Sequence, residues 1–63
     1  MRQFDIFRKE PDGGVLWHGT AANLEEARIT VAILGARTPG TYLVMDLRTR
    51  LQETIDCTPK TLG

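Results

Sequence analysis

Few residues in this chain carry chemistry beyond packing. His18 is the only histidine and Cys57 the only cysteine. To act as a general base, His18 needs a nucleophile within hydrogen-bond reach and a carboxylate to orient it. Asp5 or Asp46 could supply the carboxylate from a neighbouring strand, but no nucleophile stands nearby. His18 therefore reads as a sheet-surface or interface residue. Cys57 follows the last predicted strand in a polar context, with no helix N-terminus or basic neighbour to favour its thiolate. One cysteine and one histidine build neither an intrachain disulfide nor a structural zinc site. Gly13-Gly14 is turn material, and neither phosphate-loop pattern, G-x-x-x-x-G-K-[ST] or G-x-G-x-x-G, occurs. No cofactor or metal is expected. A chain of 63 residues also has little room for a ligand pocket of the usual size. The expectation is a protein that is not an enzyme.

The arginines offer a second chemistry. Arg48 and Arg50 flank a turn opened by Asp46, whose carboxylate suits backbone N–H groups while the arginines stay in water. With Arg37 they would make an anion or nucleic-acid site if the fold brought all three together. Charge argues against nucleic acid: Lys plus Arg equals Asp plus Glu at eight each, and the net charge is zero. Nucleic-acid affinity rests on neutralising phosphates. Phe4, Phe7, Trp17 and Tyr42 invite comparison with base-stacking platforms, but such platforms sit in a basic surround. Aromatic residues in strands are more often core.

These residues are positioned by elements readable from turn and cap signals. Gln3 to Lys9 alternates between faces, with Phe4, Ile6 and Arg8 on one and Asp5, Phe7 and Lys9 on the other. Glu10-Pro11-Asp12-Gly13-Gly14 then predicts a hairpin turn, since Pro sets φ and Gly supplies φ > 0. Val15 to Gly19 or slightly beyond reads as the second strand. Thr41 to Leu47 is the third, and Leu51 to Ile55 the fourth. Residues 56–63 carry Pro59 and little apolar content, and read as a loosely held tail.

Between the hairpins lies the segment that organises the chain, Asn23 to Arg37. Asn23 is a good N-cap with Glu26 three residues on, and Glu25 and Glu26 place negative charge at the positive end of the helix dipole. Gly35, the Arg37-Thr38-Pro39-Gly40 run and the lack of a further apolar period end the helix near Arg37. At 100° per residue, Leu24, Ala27, Val31 and Leu34 form the core stripe, while Ile29 and Ile33 fall on nearly the opposite side, where they are either half covered by loops at the edge of the sheet or meet another chain. The order ββαββ predicts an α+β two-layer sandwich: a mostly antiparallel four-stranded sheet with one helix, forming a single small domain over 1–63.

Taken in simple alternation, Phe4, Ile6, Trp17, Tyr42 and Val44 suit one sheet face, and Phe7, Leu16, Leu43, Met45 and Leu47 the other. One helix covers one face, so an apolar face lacks cover whichever register holds. A domain this small buries only roughly 60% of its unfolded surface. With no disulfide or metal staple, association is the remaining source of stability. The expectation is therefore a small interaction module that self-associates, most simply as a homodimer. Its contact would be made by Ile29 and Ile33 on the helix, or by Leu16, Leu43 and Met45 on the open sheet face. A protein partner could occupy the same surfaces. MRQFDIFRKE has no apolar h-region, and no run approaches roughly 18 apolar residues. No leader and no membrane contact are expected, and an unpaired cysteine makes the cytoplasm the default compartment.

The pattern D-I-F-R at Asp5 to Arg8, P-D-G at Pro11 to Gly13, Trp17, L-E-E-A at Leu24 to Ala27 and P-G-x-Y-x-V-x-D at Pro39 to Asp46 resembles a group of small uncharacterised bacterial proteins. The resemblance runs from about Phe4 to Thr49. It implies the same ββαββ fold. No activity is attached to that group, so no site residue is carried over. Where such sequences have a glycine after Arg48-Thr49, this chain has Arg50.

Overall fold

A computed structural model describes residues 3–57. Turn chemistry sets the first hairpin. Gly13 donates to the Glu10 carbonyl at 3.0 Å with φ of 94°, and Asp12 Oδ1 accepts from Gly14 N at 2.9 Å. This closes β1 (Phe4–Lys9) onto β2 (Val15–Ala21). Helix α1 (Leu24–Arg37) starts where its cap predicts, with Asn23 Oδ1 accepting from Glu26 N at 2.8 Å. Strands β3 (Thr41–Asp46) and β4 (Gln52–Asp56) form the second hairpin. All pairings are antiparallel and the strand order is β2-β1-β3-β4, the predicted ββαββ α+β sandwich.

Strand β3 ends at Asp46, one residue earlier than alternation suggests, because Asp46 organises a turn that begins at Leu47. Its Oδ1 accepts from Arg48 N at 2.8 Å and Thr49 N at 3.3 Å, while its carbonyl accepts from Arg50 N at 2.7 Å. Arg50 closes this turn with φ of 66°, a left-handed conformation that costs a side chain roughly 1–2 kcal/mol. That is the position where a glycine was expected. Arg50→Gly removes the strain but adds freedom to the unfolded chain. The net expectation is a gain of about 1 kcal/mol, read as a rise in the urea midpoint with unchanged slope.

Helix α1 lies across β2, β1 and β3. Ala27 and Val31 meet Phe4, Ile6, Ala21, Tyr42 and Val44 to form the core, with Leu24, Leu34, Ile55 and Cys57 packed around it. Arg28 reaches edge strand β4 with a two-pronged pair to Glu53 at 3.0 and 3.1 Å. This hydrogen-bonded pairing holds the Glu53 carboxyl below its ordinary range and raises the Arg28 guanidinium.

The helix ends at Arg37, as its stop signals predict, and Gly35 is buried within its last turn. A Cβ at Gly35 would stand 2.6 Å from both Cβ and Sγ of Cys57, so this glycine opens room for the chain leaving β4. The expected phase of β2 is corrected by the structure. Simple alternation breaks at a bulge: Ile6 pairs Gly19 but Phe7 pairs Trp17, leaving His18 as the extra residue. Beyond it every side chain of β2 changes face. Trp17 thus joins Phe7 and Leu43 on the open face, and Leu16 joins Arg8 and Tyr42 on the helix side. Of the expected 56–63 tail, Asp56 ends β4 and Cys57 N donates to Gly40 O at 2.8 Å; the remainder lies outside the described residues.

Candidate functional site

The chemically capable residues are dispersed. His18 sits at the bulge on the helix side, its ring 6.0 Å from that of Tyr42 and tilted by 53°. Asp5 is on the other face, where its Oδ1 accepts from Trp17 Nε1 at 3.4 Å. Asp46 is committed to its turn. The Cys57 thiol is half-buried against α1, with Sγ 4.0 Å from the Val31 carbonyl oxygen. Arg48 and Arg50 are exposed in the β3–β4 turn, whereas Arg37 ends the helix just before β3 begins. The length of β3, about 20 Å at its usual rise, separates Arg37 from the other two. The fold therefore does not gather the three arginines into one anion site. A cleft of about 440 Å³ beside the first hairpin turn is lined by Arg8, Glu10, Pro39 and Gly40, and there Glu10 already engages Arg8 at 3.2 Å.

What the fold does gather is apolar surface, in two places. On the open sheet face one cross-strand row reads Trp17, Phe7, Leu43 and Thr54 from β2 to β4. Met45 lies in the next row, beside Asp5 and Gln52. Trp17 is 55% exposed, while Phe7, Leu43 and Met45 are half-buried by their neighbours. The ionic residues of this face, among those described, are Asp5, Lys9 and Asp56, so neither sign dominates it. Leu16, expected here, is exposed on the other side of β2. Trp17 was missed because the bulge reverses its phase. The signal for that bulge was Gly19, an isolated glycine inside a strand pattern.

The second place is the outer side of α1. Ile29 and Ile33 are 55% and 56% exposed, one turn apart. Ala32 and Ala36 lie beside them, also exposed. Leu24, Arg28, Ile29 and Ala32 line a shallow, mostly apolar groove here. Among the described residues, no loop covers these isoleucines. Among the described residues no helix is long and apolar enough to cross a membrane. No family model matches the chain, and no curated protein or solved structure matches it significantly.

Proposed function

We propose that this protein is a small interaction module without catalytic activity and that it works as a homodimer. One observation carries the reading: among the described residues a single helix covers one sheet face, so apolar side chains are left wholly or partly open to water on both outer sides of the sandwich. On one side stand the exposed Ile29 and Ile33; on the other stands the exposed Trp17 with the half-buried Phe7, Leu43 and Met45. Full burial of an isoleucine is worth roughly 1.5–3 kcal/mol, and with Ile29 and Ile33 a little over half exposed each has roughly 1–1.5 kcal/mol left to gain. A two-fold axis counts each contact twice. Association costs several kcal/mol in lost freedom, so either surface is of the right order for reversible pairing.

The edges of the sheet are less suited to pairing. Strand β2 is interrupted by its bulge, and β4 carries Glu53 and Asp56 in five residues. Bulges and charges are devices that keep edge strands from pairing with other chains. Face packing is the route left open. Sedimentation equilibrium from micromolar to hundreds of micromolar tests the proposal. The expected result is a mass rising towards twice the 7.0 kDa monomer. A monomer mass across the whole range overturns it.

A further inference from the structure

Resting on that self-association, we infer that the partner surface is helix α1 itself, paired antiparallel with α1 of a second copy about a two-fold axis at the level of Val31. The argument is a charge and shape match within one row of the helix. Glu25, Ile29, Ile33 and Arg37 are spaced four apart and all are exposed. They therefore form one ridge, inclined to the helix axis. In the commonest helix packing, ridges of this spacing run alongside each other at a crossing of about −50°.

Laid antiparallel about Val31, the two ridges match residue for residue. Ile29 of one copy meets Ile33 of the other, and the reverse, giving a central four-isoleucine contact. Glu25 and Arg37 lie equally far from Val31 along the chain, about 9 Å on either side. Each therefore meets its opposite charge at both ends of the seam. Ala32 and Ala36 flank the ridge with small side chains, leaving a groove for the ridge of the second copy. A parallel arrangement would set Glu25 against Glu25 and Arg37 against Arg37, and would align the two helix dipoles. The antiparallel one opposes both, so the charges select the arrangement while the isoleucines supply the contact.

Charge reversal with rescue tests this. Glu25→Arg and Arg37→Glu each place like charges opposite one another at both ends of the seam. Each alone is expected to raise the dimer dissociation constant about tenfold at low salt. The double variant restores opposite pairs and should return to within a few-fold of the parent. Both changes weaken the monomer helix through its dipole, and the double variant keeps both weaknesses, so rescue reports the seam and not stability. Ile33→Lys, at an exposed position, should abolish the dimer while circular dichroism stays that of the parent. A dimer that survives Ile33→Lys overturns the helix seam but leaves self-association standing, with the sheet face around Trp17 as its site. Loss of the dimer in Ile33→Lys without rescue in the double variant overturns the antiparallel register. A monomeric parent overturns this inference together with the proposal it rests on.

Discussion

Tyr42→Ala is expected to leave the chain largely unfolded at 25 °C, with helical circular dichroism lost in the absence of urea. Tyr42 is fully buried in the central strand β3, between Arg8 of β1 and Ile55 of β4. Its ring lies under α1, where Cε1 would be 3.9 Å from a Cβ placed on Gly35. Its hydroxyl donates to the Thr38 carbonyl at 2.6 Å and so ties the end of the helix to the strand that follows. Truncating a buried aromatic to alanine costs roughly 3–5 kcal/mol. Total stability runs at roughly 0.05–0.15 kcal/mol per residue, about 3–9 kcal/mol for this chain. The loss is thus comparable with the whole. Tyr42→Phe separates the two contributions. It keeps the ring and removes the hydroxyl, and should cost only about 0.5–1.5 kcal/mol. A well-folded Tyr42→Ala would mean that the space under α1 collapses freely, contrary to a core seated on the β3 ring.

The same neighbourhood shows what a sequence can and cannot specify. The hairpin turn at Pro11 to Gly14, the Asn23 cap and the helix over Leu24 to Arg37 follow from local chemistry, because each motif satisfies its own backbone groups nearby. The need for a glycine at Arg50 is local too, and shows in its φ. The face of Trp17 is not local. It depends on where the ladder between β1 and β2 takes up one extra residue, and nothing adjacent to Trp17 fixes that. The open face was legible as apolar, through Leu43 and Met45, but its most exposed aromatic was assigned to the wrong side. The outward direction of Ile29 and Ile33 follows from helical periodicity alone. Their exposure depends on loops that stay clear of them, and so belongs to tertiary structure.

Gly35 is the sharpest case, because a helix propensity scale and the packing point in opposite directions. In a helix interior, Gly→Ala ordinarily gains roughly 1 kcal/mol. Here the new methyl would stand 2.6 Å from both Cβ and Sγ of Cys57, a separation that demands movement. Cys57 packs beside α1 with Sγ 4.0 Å from the Val31 carbonyl oxygen, and is held by its N–H, which donates to the Gly40 carbonyl at 2.8 Å. Shifting it disturbs the end of β4 and the start of β3 together. Overpacking of this kind costs roughly 1–3 kcal/mol. Gly35→Ala is therefore expected to lower stability in urea despite the better helix former. The cause can be isolated by a cycle with Cys57→Gly, which removes both clashing atoms. In that background Gly35→Ala meets nothing closer than the Tyr42 ring and should become stabilising by about 1 kcal/mol. The coupling between the two sites should then be about 1–3 kcal/mol, within the range for residues in contact. A Gly35→Ala variant equally stabilised in both backgrounds would show that α1 and Cys57 do not approach as closely as this, and Gly35 would then have no packing role.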